Sequence, residues 1–179
     1  MKKISFILLA VLGLLLMNSC DEDLLDVEQT FEFEEEFVVL TNENTFEGSE
    51  LFDLAAEVDL IDEYGNKIKD VIIEEASFWL KEFNGSDEQK MLGGSLFVSN
   101  PDGSSKTLII EMGEYVLHEL VNNPANLNLN TAGVNKLGDL AANPPHRFML
   151  HYDAEVNEAP LDFTIVFKFK AKMVANPLN

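Results

Sequence analysis

Apolar and polar residues alternate strictly along much of the chain, the period-two signature of strands with one dry and one wet face. In TFEFEEEFVV, Phe31, Phe33, Phe37 and Val39 fall on one face and Glu32, Glu34 and Glu36 on the other. DVIIEEASFWLKEF reads as a long strand with Ala76, Phe78 and Leu80 opposite Trp79, Lys81 and Phe83. MLGGSLFVS places Leu92, Gly94, Leu96 and Val98 on one side, and TLIIEM places Leu108, Ile110 and Met112 in phase. The turn residues of NPDG between them predict a hairpin with a long loop. RFMLHYDAEV sets Phe148, Leu150, Tyr152, Ala154 and Val156 against Arg147, Met149, His151 and Asp153. DFTIVFKFKAKMV closes the chain with Phe163, Ile165, Phe167, Phe169, Ala171 and Met173 inward and Lys168, Lys170 and Lys172 outward. The first of these strands thus carries a glutamate row and the last a lysine row. Opposite charges on adjacent strands stabilise a sheet, so the two are expected to be neighbours.

Three segments break the alternation. In ELFDLAAEVDLIDEYG, Leu51, Leu54, Ala55, Val58 and Ile61 recur at helical spacing and stop at Gly65. GEYVLHELVNNP gathers Val116, Leu117, Leu120 and Val121 on one stripe before Pro124. TAGVNKLGDLAANPP offers Thr131 as a cap, then Val134, Leu137, Leu140 and Ala141, although Gly133 and Gly138 weaken a helix. Six strands, a weaker one between Phe46 and Phe52, and these crossings predict a mainly β fold. The expected architecture is an antiparallel β-sandwich, Ig-like in architecture, with two or three short peripheral helices.

The N-terminal segment follows a different rule. Lys2 and Lys3 precede fourteen uncharged, mostly apolar residues, 4–17, too few to span a bilayer as a helix. A charged start and a short apolar middle match a secretory signal peptide, assigned to residues 1–19. Leu16-Met17-Asn18-Ser19-Cys20 resembles a bacterial lipobox, with Met17 and Asn18 departing from its usual residues. The resemblance implies that Cys20 is lipidated and becomes the first mature residue. Cys20 is the single cysteine, so no internal disulfide is expected, and two or three acyl chains anchor a protein stably. Asp21, Glu22 and Asp23 resemble the acidic surface-export signal of Bacteroidota lipoproteins. In enteric bacteria an Asp at this point instead marks retention at the inner membrane. The expected address is the outer membrane, lipid-anchored and facing the cell surface, with its periplasmic face as the alternative. Residues 20–29 form the lipidated tether, and 30–179 a single sandwich domain.

Charge narrows the partners. The chain has 12 basic and 32 acidic residues, and loss of Lys2 and Lys3 with the signal leaves ten against 32, a net charge of −22. Such a surface excludes nucleic acid and anionic head groups as partners. The expected partners are the membrane, through the lipid on Cys20, and an envelope protein or carbohydrate.

LIDEYGNKIKDVIIEEASFWLKEFNG and AEVNEAPLDFTIVFKFKAKMVANPL resemble segments of uncharacterised small lipoproteins of Bacteroidota. That group brings no activity with it and no functional residues to carry over. Motifs that carry chemistry are sparse in the chain. His118, His146 and His151 show no metal-binding spacing, and no GxSxG elbow, dinucleotide fingerprint or P-loop occurs. No catalytic residue and no cofactor are assigned. Asp59, Asp62, Glu63 and Asn66 are weak candidates for calcium, lacking the spacing of an EF-hand. Trp79, Phe83 and Tyr115 are weak candidates for an aromatic platform against a sugar, with core packing the competing reading. The expected function is a membrane-anchored envelope lipoprotein acting as a non-catalytic binding or structural module. The alternative is a small glycan-directed envelope hydrolase using paired carboxylates.

Overall fold

The structure, a computed structural model, describes residues 26–178. The signal peptide, Cys20 and the acidic run Asp21, Glu22, Asp23 lie outside the described residues. The strands are β1 (Val27–Thr41), β2 (Thr45–Asp53), β3 (Ile68–Phe83), β4 (Lys90–Ser99), β5 (Thr107–Met112), β6 (Tyr115–Val116), β7 (Ala125–Asn126), β8 (Arg147–Val156) and β9 (Leu161–Ala175). The helices are α1 (Leu54–Glu57), α2 (Asp59–Tyr64) and α3 (Thr131–Ala142), with 3-10 turns at Gly65–Lys67 and Leu117–Leu120.

The strands form two antiparallel sheets. One runs β1-β9-β3-β7, and the other β2-β8-β4-β5 with β6 beside β4. Their apolar stripes face each other as one core, in which Phe78, Phe148, Phe167 and Phe169 are fully buried. The molecule is a β-sandwich. Aromatic rings tie the sheets across the core: Phe33 of β1 stands 5.4 Å from Phe52 of β2 and 6.1 Å from Phe148 of β8. Such pairs contribute beyond their buried area.

The expected charge rows are adjacent. β1 and β9 pair over their full length, placing Glu32 opposite Lys170 and Glu34 opposite Lys168.

Three expectations needed correction, each for a local reason. A bulge in β4 between Met91 and Gly93 shifts the alternation, so Met91 is buried and Leu92 is turned outward. A bulge in β3 after Leu80 places Phe83 opposite Phe163, on the inner side rather than beside Trp79. The helical reading that began at Leu51 starts instead at Leu54, because Leu51 pairs with Met149 in the second sheet; Val58 then divides α1 from α2 in an extended conformation.

α3 closes one side of the sandwich, against β3 and β5. Asn130 caps it, its side-chain oxygen accepting from the backbone N–H groups of Ala132 (3.0 Å) and Gly133 (3.3 Å). A Cβ at Gly133 would overlap the Leu108 carbonyl of β5, and one at Gly138 the Val71 carbonyl of β3. The two glycines that weaken the helix in isolation are what let it lie on both sheets at once.

Candidate functional site

The outer face of the second sheet is a carboxylate row. Register places Glu47 (β2) beside Asp153 (β8), Asp153 beside Ser95 (β4), and Ser95 beside Glu111 (β5). Glu155 sits one position along, next to Gly93. These residues line an open groove of about 750 Å³. Among the described residues no lysine or arginine forms an ion pair with Glu47, Asp153, Glu155 or Glu111. The absence of a side chain at Gly93 and the small one at Ser95 leave the sheet floor bare between the acids. Such a surface can attract cationic or hydroxyl-rich groups.

Further along the same face, Ser99 and His151 form a hydrogen-bonded pair, Oγ to Nε2, at 2.8 Å. Two features make it structural. Ser99 is fully buried, and its hydroxyl donates to the Asn100 carbonyl at 3.0 Å, so His151 Nε2 is the donor to the hydroxyl oxygen. A nucleophilic serine needs the opposite arrangement, with its proton pointing at the imidazole. Burial, and secondarily Lys106, holds the His151 imidazole below its ordinary range.

A second acid group lies on the side of the sandwich between the edge strands β1 and β2. Glu35 falls in phase with Phe33 and Phe37 on the inward face of β1, and Glu50 in phase with Phe46 and Phe52 on the inward face of β2. Burial, then the carboxylates of Glu50, Glu57 and Glu36, push the Glu35 carboxyl up to about 7. Tyr152 packs nearby, 4.5 Å from Phe37, over Gly48, where a Cβ would stand 2.5 Å from its ring. Burial and Glu50 push the Tyr152 phenol up. Sequence reading passed over Glu35 because it sits inside the glutamate run 34–36; its phase with the phenylalanines was the available signal.

The weak candidates separate. Trp79 is half-buried on the outer face of β3, while its neighbour Phe78 points into the core and meets the Tyr115 ring edge-on at 4.9 Å. Trp79 and Tyr115 are therefore on opposite sides of a sheet, and Phe83 packs against the core. No shared platform forms. Asp59, Asp62 and Glu63 lie on the short α2 and Asn66 in the turn behind it. Among the described residues no three acidic, histidine or cysteine side chains converge as metal ligands. His118 Nδ1 meets the Asp87 carbonyl at 2.9 Å, and buried His146 Nδ1 meets the Ala141 carbonyl at 2.8 Å, both local structural bonds.

No protein-family model matches the chain, and no curated protein matches it. Among solved structures it is similar to one of Desmodium yellow mottle tymovirus, at 9% identity and TM-score 0.35 over 83% of this chain and 89% of that one. It is similar to one of turnip yellow mosaic virus, at 11% identity and TM-score 0.37 over 87% and 82%, and to one of tobacco necrosis virus, at 10% and 0.36 over 85% and 99%. All of these scores lie below 0.5, and the sandwich assignment rests on the strand pairing itself.

Proposed function

We propose that the chain is an envelope lipoprotein, anchored through Cys20 and exposed at the cell surface, acting as a non-catalytic binding or structural module. The observation that carries the binding reading is the carboxylate row Glu47, Asp153, Glu155 and Glu111 around the bare floor of Gly93 and Ser95. Cross-strand acids without a basic neighbour cost sheet stability, so a surface that keeps them is suited to a basic or hydroxyl-rich partner. On the first sheet, Val38 and Leu40 are 75% and 78% exposed at the end of β1, a second place for contact.

The anchoring arm is tested by phase partition. Cys20→Ser should leave the detergent phase and lose labelling by a fatty-acid analogue; continued labelling of the variant overturns the lipoprotein reading. Replacing Asp21, Glu22 and Asp23 by Ala should protect the protein from protease added to intact cells, and equal cleavage of both forms removes the export role. The binding arm uses the Cys20→Ser protein added back to isolated envelopes. Retention should fall with added salt and should be lost in Glu47→Gln/Asp153→Asn/Glu155→Gln; unchanged retention rejects the groove.

The hydrolase alternative has one observation in its favour. Glu35, its carboxyl pushed up to about 7 by burial and neighbouring carboxylates, shares the β1–β2 side with Glu50, and acid–base glycoside cleavage uses two carboxyls of which one is so raised. A Glu35→Gln protein that still releases sugar from envelope glycans at the wild-type rate rules it out.

A further inference from the structure

The two open sides of the sandwich are closed differently. On the α3 side the closure includes main chain: the Asn130 N–H donates to the Ile109 carbonyl at 2.7 Å, and the Leu127 N–H donates to the Ala76 carbonyl at 2.9 Å. Leu137 of α3 is fully buried there. On the other side stand β1 and β2, which bond to β9 and β8 respectively and share no ladder with each other. Among the described residues only side chains close that side. They are Phe33 against Phe52 at one level, and Phe37 and Phe46 against Tyr152 at the next. Between the two levels the inward stripes carry Glu35 and Glu50.

We propose that the β1–β2 side is a proton-dependent seam, closed while Glu35 carries its proton and parted when Glu35 ionises. A neutral carboxyl can rest beside aromatic rings if it is hydrogen-bonded, but an ionised one needs water or a cation. Among the described residues no basic group is seen acting on Glu35. The groups acting on Glu35 are Glu50 from β2, Glu57 from α1 and Glu36 from its own strand, all acidic, while the neighbouring Tyr152 from β8 is neutral. The lysines of β9 lie on the other face, in ion pairs with Glu32 and Glu28 on β1 and with Glu75 on β3. Glu35 is half-buried and Glu50 exposed, so ionisation adds a charge beside three carboxylates that further entry of water relieves, and among the described residues β1 and β2 have no mutual backbone bonds to resist. The proton balance is simple: one proton leaves Glu35 to solvent as the seam opens.

The test uses the full chain and two readouts. Carbon-13 carbonyl shifts follow the Glu35 carboxyl, assigned by its loss in Glu35→Gln. Nile red, a neutral dye, reports exposure of the seam rings. Wild type should bind more dye at about pH 8 than at about pH 5.5, with an opening equilibrium raised about tenfold, and the rise should track the Glu35 titration. Glu35→Gln should bind dye equally at both pH values and at the wild-type acid level. Glu50→Gln, which removes the nearest like charge, should move the transition to lower pH. A dye response that persists in Glu35→Gln, or a Glu35 titration without any dye response, overturns the seam.

Discussion

Lys168 of β9 stands directly opposite Glu34 of β1, and its Nζ lies 3.5 Å from that carboxylate and 2.6 Å from Glu32 on the same face. One ammonium thus spans two positions of the glutamate row. Lys172 reaches Glu28 at 3.4 Å, but Lys170 turns the other way, to Glu75 of β3 at 2.7 Å. The central strand β9 therefore supplies cations to acids on both of its neighbours. Hydrogen bonding to Glu32 holds the Lys168 ammonium above its ordinary range, with the charges of Glu32 and Glu34 acting in the same direction.

Lys168→Glu should lower the melting temperature, and more at low salt than at high. Each exposed cross-strand pair contributes about 0.2–1 kcal/mol, and reversal adds repulsion from two glutamates. Screening at high ionic strength should recover most of the loss. Melting curves that shift equally at both salt concentrations would assign the loss to packing of the lysine stem.

Gly138→Ala should destabilise the protein although alanine favours an isolated helix by about 1 kcal/mol over glycine. The added Cβ meets the Val71 carbonyl oxygen of β3, main chain that cannot rotate away. Overpacking of this kind costs about 1–3 kcal/mol, so the net sign is reversed from the helix propensity. Gly133→Ala, facing the Leu108 carbonyl of β5, should behave alike. Urea denaturation checks both; a gain in stability from either change would mean that α3 does not press on the strands.

Alternation carried the sandwich because each sheet has a core face, and a period of two is unambiguous there. Pairing of β1 with β9 was legible for an added reason, since the glutamate and lysine rows select each other. What alternation could not locate were the positions where one residue is inserted. The bulges at Met91–Gly93 and after Leu80 exchanged faces for Leu92 and Phe83. Glu35 was hidden in the same way by its neighbours, a polar letter in an apolar phase. The carboxylate groove was not legible at all: Glu47, Glu111, Asp153 and Glu155 come from three strands far apart in sequence, and register alone brings them together.

Ser99→Ala should cost about 1–3 kcal/mol, because it removes both hydrogen bonds of the hydroxyl and leaves His151 Nε2 and the Asn100 carbonyl without that partner. The pH dependence around His151 has a definite sign. Burial lowers the folded imidazole below the free value of about 6.5, so the unfolded chain takes up a proton first as pH falls. The His151 contribution is complete above the free value and declines as pH drops through it toward the lower folded value. Glu35 acts oppositely: its folded carboxyl is raised to about 7, so its contribution is complete below the free value of 4.5 and is lost as pH rises toward 7. Between those values the two oppose each other, and the wild-type stability profile should be flatter than that of His151→Gln. His151→Gln should become less stable from pH 5 to about 7, exposing the Glu35 slope, and Glu35→Gln should become more stable as pH rises to about 6.5 and level off above it, exposing the histidine slope. Urea midpoints measured across that range check both. A wild-type profile as steep as that of His151→Gln, or an imidazole midpoint at or above 6.5 by proton NMR, would show that burial does not hold the His151 imidazole below its free value.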